Sequence, residues 1–229
     1  MTMEALRDKN GLTEEEFLAR YRPGDYPRPS MTVDMLIFAA PGLSSRLAGG
    51  GRMSSEDRQH YLGGRALRVL LVRRGGHPCL GRYALPGGFV EPRETVMEAA
   101  RRELLEETHV EGVPLQQLYT FSKPGRDPRT WVMSCAHLAV LDTDQIPAEA
   151  GDDASDARWF TVALTRREES RPGLFHYELR LEGGGQVLSS SLECPLRFDE
   201  GSCLAKNSQG LAFDHGAMIL CGLKELFHI

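Results

Sequence analysis

Glu103, Glu106 and Glu107 stand three and four residues apart in "RRELLEETHV", a spacing that puts like charges side by side on a helix. Such neighbours repel each other. A carboxylate cluster at the edge of a core is unfavourable unless a cation compensates it. Hard divalent ions such as Mg²⁺ take oxygen ligands, usually carboxylates together with waters and substrate phosphate. The chemistry open to these residues is therefore metal-assisted attack on a phosphate. The alternative is a solvated acidic helix face paired with Arg101 and Arg102.

The element that must carry them is a helix over Thr95 to Thr108. At about 100° per residue, Val96, Met97, Ala100 and Leu104 form one apolar stripe. Glu107, Glu103 and Glu106 then fall at about 20°, 340° and 280° from Val96, beside the stripe rather than opposite it. Upstream, "LPGGF" places two glycines where backbone can approach the helix closely, since glycine has no Cβ. A main-chain carbonyl there can complete a metal shell.

The stretch "LPGGFVEPRETVMEAARRELLEETHV" resembles the signature of the Nudix hydrolases. Gly88 is followed by five residues and Glu94, and seven more lead to Arg102, Glu103, Leu104, Leu105, Glu106, Glu107, Thr108, His109 and Val110. Only His109 departs from the pattern, standing where the family has glycine. The resemblance implies an α/β fold, an α/β/α sandwich around a mixed sheet. It implies Glu103, Glu106 and Glu107 as Mg²⁺ or Mn²⁺ ligands, with the carbonyl of Gly87 as a further one. Arg102 would orient the glutamates and Glu94 would pair with it. The implied reaction is cleavage of a nucleoside diphosphate linked to another group, with water attacking one phosphorus. Glycine at position 109 would fit a left-handed helix end. Histidine tolerates that region, so an altered helix end and an intact metal site are expected. A ligand role for His109 is the alternative.

Three further stretches, "MTVDMLIF", "RYALPGGFV" and "YTFSKPGRDPRTWVMSCAHLAV", are similar to the ADP-ribose-type branch of that family. The branch holds ADP-ribose pyrophosphatases and related regulators of NAD metabolism. The likeness runs from Ser30 to Phe160 and resumes at "LAFDHGAMIL". It implies ADP-ribose as substrate, cut to AMP and ribose 5-phosphate. An oxidised nucleoside triphosphate such as 8-oxo-dGTP, NADH or a nucleotide sugar are the other candidates. Arg126 and Arg129 in "GRDPRTW" have the guanidinium chemistry to grip phosphate or ribose oxygens. The same loop also reads as a surface turn built by Asp127-Pro128. Arg74 is a further phosphate candidate. Tyr83 either stacks on a base or packs on its loop. The acidic loop "AEAGDDASDARWF" carries Glu149, Asp152, Asp153 and Asp156. Some relatives keep a catalytic base there, which makes Asp153, or Asp152, the candidate; otherwise the loop is simply solvated. His215 in "FDH" reads as structural, capping or lining the last helix.

The bulk numbers are ordinary for a soluble globular protein. The chain has 229 residues, 41% hydrophobic and 26% charged, with a net charge of −5. A protein built to grip a duplex usually shows a basic excess, so nucleic acid is not an expected partner. No apolar run reaches about 18 residues, and the acidic start "MTMEALRDKNGLTEEEFLARY" lacks signal-peptide features, so no membrane partner is expected. Five cysteines without a C-x-x-C pair suit reduced thiols in a cytoplasm.

Four segments follow from the pattern. Residues 1–30 form an N-terminal helical arm, with Thr13 and Glu16 as a capping box. Residues 31–162 form the main domain. Within it "MTVDMLIFAA", "ALRVLLVRR", "LQQLYTFS", "WVMSCAHLAVL" and "ARWFTV" are expected strands, 41–64 a long loop and 75–94 a loop. Residues 163–210 form a β-hairpin insertion around "EGGGQ", and 211–229 a C-terminal helix that completes the domain. The family resemblance suggests a homodimer. The regulators carry a winged helix-turn-helix after the shared domain, whereas 163–210 read as hairpin and the sequence ends one helix later. That favours the enzyme over a DNA-binding sensor.

Overall fold

The strand expected at "MTVDMLIFAA" forms as β1 (Ser30–Ala39) and lies inside a mixed sheet. The computed structural model describes residues 6–48, 53–143 and 154–229. The other strands are β2 (Gly63–Arg74), β3 (Tyr83–Ala84), β4 (Gly87–Phe89), β5 (Gln116–Phe121), β6 (Val132–Leu141), β7 (Ala154–Arg171), β8 (Leu174–Gly183), β9 (Gln186–Pro195) and β10 (Leu204–Gln209). Their order is β10-β9-β8-β7-β2-β1-β6-β5, with β3 beside β2 and β4 beside β1. β1 runs parallel to β6 and antiparallel to β2 and β4.

The helices are α1 (Glu14–Arg20), α2 (Leu43–Ala48), α3 (Ser55–Leu62), α4 (Val96–Thr108) and α5 (His215–Phe227). Period-2 alternation along β1 feeds two cores. Leu36 and Phe38 pack with Met218, Ile219 and Leu223 of α5. Val33, Met35 and Ile37 pack with Ala99, Ala100 and Leu104 of α4. Both faces of β1 are thus covered, which explains its nearly continuous apolar run and makes the α/β/α layering expected from sequence. Among the described residues no helix is long and apolar enough to cross a membrane.

Two stretches differ from expectation. Residues 41–64 were expected as loop, yet they hold α2 and α3. Ser54 caps α3 with Asp57 in a reciprocal box, and Leu43, Tyr61 and Leu62 are buried anchors. Both helices are too short to show a period. The stretch 75–94, also expected as loop, contains β3 and β4. They are too short to alternate and are held by pairing to β2 and β1.

The capping box of α1 forms: Glu16 N donates to Thr13 Oγ1 at 3.2 Å, and Thr13 N to Glu16 Oε2 at 2.8 Å. No residue of α1 is buried. β7 is longer than "ARWFTV" and runs on through position 163. β8 and β9 make the glycine-turn hairpin, Gly183 opposite Gln186, with Gly184 and Gly185 at φ 55° and 74°. β10 was not foreseen; it adds a mostly exposed edge to the same sheet.

Candidate metal and phosphate site

α4 begins at an N-cap, Thr95, whose hydroxyl accepts from Glu98 N at 3.2 Å while Glu98 Oε2 accepts from Thr95 N at 2.8 Å. Its apolar stripe buries Ala99, Ala100 and Leu104. That burial aims the neighbouring carboxylates at the edge of the sheet. The helix ends at His109 in the left-handed region, φ 56° and ψ 20°, with its N–H donating to Leu105 O at 2.8 Å. The altered sequence therefore keeps the helix end that glycine would make.

β4 lies across this helix. Gly87 and Gly88 pair with Asp34 and Val33 of β1. A Cβ on Gly87 would sit 2.1 Å from Val33 O, and one on Gly88 would sit 2.2 Å from Glu103 Oε1. At Gly87 the obstacle is β1 backbone, which leaves no room for a side chain; at Gly88 it is the carboxylate of Glu103, which a side chain would displace. Gly87 N donates to Glu107 Oε2 at 2.8 Å.

Arg102 ties the acidic groups together. Its Nε and Nη2 reach both oxygens of Glu94 at 3.1 and 2.7 Å. Its Nη1 reaches Glu103 Oε1 at 2.8 Å and Glu106 Oε2 at 3.0 Å, and Nη2 also donates to Phe89 O at 3.0 Å. The structure thus brings Arg102 together with Glu94, Glu103 and Glu106. The Arg102 hydrogen bonds hold Glu94 below the usual carboxylate range. Glu103 is raised, chiefly by burial. Glu107 is pushed up to about 7, first by burial and then by the charges of Glu103 and Asp34, despite the Gly87 N–H. Glu106 stands at the rim, its side chain 56% exposed.

Raised carboxyls of this kind mark a place where positive charge is short. The donors are all hard oxygens, which suits a divalent cation such as Mg²⁺ or Mn²⁺. Among the described residues no three His, Cys, Asp or Glu side chains are already drawn together as an ion cage. Arg102 occupies Glu103 and Glu106 instead.

Glu103 and Glu107 line a cavity of about 700 Å³. Its other walls include Arg74, Arg126, Arg129, Phe89, Phe213 and His215. Arg74 lies 5.0 Å from the Phe213 ring centroid, and its Nε donates to Pro78 O at 2.8 Å. Arg126 binds both oxygens of Asp214, at 2.9 and 2.8 Å. Arg129 binds Asp127 at 2.7 Å and lies 5.2 Å from the Phe89 ring centroid. The loop is thus both a turn built on Asp127 and a wall of the cavity.

Tyr83 is not among the cavity's walls. It is buried, edge-on to Phe160 at 4.8 Å, with its hydroxyl donating to Asp156 Oδ2 at 3.1 Å. Packing, not base stacking, is where the structure puts it. Asp153 lies outside the described residues, as do Glu149 and Asp152.

Sequence reasoning passed over Asp34 and Asp214. Asp34 lines the same cavity, accepts from Ser134 Oγ, and is raised by burial. One acid inside the apolar run "MTVDMLIF" was the available signal. His215, read as structural, is buried here beside Asp34. Its Nδ1 accepts from Leu85 N at 2.8 Å, and its Nε2 is 3.6 Å from Asp34 Oδ1.

A family profile described as NUDIX domain matches residues 61–177. The chain is 35% identical over 135 residues to the ADPR responsive transcriptional repressor NtrR of Acinetobacter baylyi, covering 58% of this chain and 45% of the repressor. It is 44% identical over 95 residues to an ADP-ribose pyrophosphatase of Methanocaldococcus jannaschii, covering 42% and 55% respectively. The chain thus spans about half the length of these curated relatives. Among solved structures, a MutT/nudix family protein from Enterococcus faecalis aligns with TM-score 0.62 and 30% identity, over 95% of this chain and 70% of that one.

Proposed function

Because the chain belongs to the NUDIX domain family, we propose that it is a metal-dependent pyrophosphohydrolase that cleaves a nucleoside diphosphate linked to another moiety, with ADP-ribose as the substrate and AMP and ribose 5-phosphate as products. The observation that carries this is one cavity lined by two carboxyl groups raised by burial, Glu103 and Glu107, and by the guanidinium groups of Arg74, Arg126 and Arg129. Carboxylates call for a cation, and guanidinium groups call for a phosphate. The pyrophosphatase of M. jannaschii supports the choice of ADP-ribose.

Glu103, Glu106, Glu107 and the Gly87 carbonyl would hold Mg²⁺ or Mn²⁺. Such an ion, when bound, supplies charge neutralisation on the diphosphate and acidifies a water. Arg102 positions Glu103 and Glu106 through hydrogen bonds from its Nη1. Arg74 and Arg129, walls of the same cavity, hold phosphate or ribose oxygens, and Arg126 does so from its anchorage on Asp214. Asp153 takes the general-base role on the strength of its acidic loop. All five cysteines are free thiols, which supports a cytoplasmic location. A homodimer is supported by the arm, where Phe17, Leu18, Tyr21 and Tyr26 are exposed. Sedimentation velocity tests it, a monomer contradicting it.

The test of the reaction is a panel of ADP-ribose, NADH, 8-oxo-dGTP and a nucleotide sugar with Mg²⁺ and with Mn²⁺, products resolved by chromatography. AMP and ribose 5-phosphate released fastest from ADP-ribose is the expected result; no hydrolysis of any member overturns it. The likeness to the A. baylyi repressor favours one other reading, an ADP-ribose-sensing DNA-binding regulator. A gel shift with promoter DNA that responds to ADP-ribose, without hydrolysis, would establish that reading in its place.

A further inference from the structure

The segment Phe213-Asp214-His215, at the start of α5, lines the cavity with Phe213 and His215. Phe213 lies against Arg74, Asp214 grips Arg126, and His215 takes the Leu85 amide. The third contact reaches furthest. Leu85 begins the turn Leu85-Pro86-Gly87-Gly88, and Pro86 contributes no N–H to anchor it. Gly87, two residues on, donates the hydrogen bond that holds Glu107. Pro86 O in turn accepts from Met35 N at 2.8 Å, tying the turn to β1 beside Asp34.

We propose that His215 is a positioning residue for the metal site: through the Leu85 amide it fixes the turn that presents Gly87 to Glu107. The inference rests on the metal reading of Glu103 and Glu107 given above.

Four observations support it. His215 is 4% exposed, so its bond to Leu85 is shielded from competing water. A neutral imidazole is needed for Nδ1 to accept, and burial holds the ring in that form, its pKa pushed down to about 3. With Nδ1 accepting, the ring proton sits on Nε2, which lies 3.6 Å from Asp34 Oδ1. Asp34 is the β1 partner of Gly87 in the strand register. The imidazole therefore meets the turn on one edge and the turn's strand partner on the other. A bulky apolar side chain at 215 would fill the space but leave the Leu85 N–H buried without an acceptor. Groups that orient ligands in this indirect way affect metal affinity although they touch no metal.

The experiment compares the full-length native chain with His215→Asn and His215→Phe. Asparagine puts Oδ1 where Nδ1 stands and can accept from Leu85; phenylalanine cannot. Amide hydrogen exchange at Leu85 is followed by NMR in metal-free protein, and Mn²⁺ binding by electron paramagnetic resonance. Expected are near-native exchange and Mn²⁺ affinity for His215→Asn. For His215→Phe, exchange at Leu85 should be faster and Mn²⁺ affinity about 10- to 100-fold weaker. Equal affinity and equal exchange in native and His215→Phe protein overturn the proposal. So does an equal loss in both variants, which would mark the imidazole as packing alone. Native protein that binds no Mn²⁺ at all contradicts the metal reading itself, and is distinguished from these outcomes because the exchange measurement needs no metal.

Discussion

Gly88 and Glu103 occupy the same small volume: a Cβ on Gly88 would lie 2.2 Å from Glu103 Oε1 and 2.3 Å from its Cδ. Gly88 is not among the glycines at positive φ, so the demand at this position is for space rather than for an unusual backbone. Gly88→Ala is expected to fold and to displace the Glu103 carboxylate from Arg102. A displacement of about 1 Å at a reacting centre costs on the order of 100-fold in rate. Turnover of ADP-ribose should fall by about that factor while the circular dichroism spectrum stays native. Undiminished turnover would show that Glu103 need not be where the structure holds it.

Tyr83 and Asp156 make the opposite case, a candidate site residue that belongs to the core. Tyr83→Phe removes one buried hydroxyl and its bond to Asp156. A stability loss of about 1 kcal/mol in urea denaturation is expected, with KM for ADP-ribose unchanged. A several-fold rise in KM would return Tyr83 to the binding surface.

His215 sets an acid limit on stability. Its folded pKa, about 3, lies below its ordinary value of 6.5. The unfolded chain therefore binds a proton that the folded chain refuses. The stabilisation is complete above about pH 6.5 and is lost progressively as pH falls from there toward 3. Asp34, raised by burial, works in the reverse direction, so the His215 contribution is read as a difference between proteins. The urea midpoint of native protein should drop between pH 7 and pH 4 more steeply than that of His215→Asn. Parallel curves would mean that the ring titrates normally in the fold.

Much of the site was legible because its chemistry is local. Thr95, Glu103, Glu106 and Glu107 lie on one helix, and angle arithmetic alone puts the acids beside the buried stripe. At His109 the sequence points to an altered helix end, yet the end is left-handed, as glycine would make it. What sequence did not disclose depends on contacts distant in the chain. Asp34 reaches Ser134 across the β1–β6 register, Arg126 finds Asp214, and Leu85 finds His215 130 residues away. Tyr83 could not be placed because β3 is two residues long and takes its orientation from pairing with β2. The helices α2 and α3 escaped notice because each spans only about two turns, too few to display a period. The long reach of β7 past position 163 was hidden by its polar composition, which an alternation search reads as loop.

The central claim is that the carboxylates of α4 act through a divalent ion on a diphosphate. Glu107→Gln keeps the acceptor for the Gly87 amide and removes the charge, so it probes that claim with little change in shape. The measurement is kcat for ADP-ribose hydrolysis by native and Glu107→Gln protein at saturating Mn²⁺, with Glu106→Gln alongside. A loss on the order of 100-fold or more in kcat for Glu107→Gln is expected, with a native unfolding transition. Hydrolysis at the native rate by both variants would contradict the account.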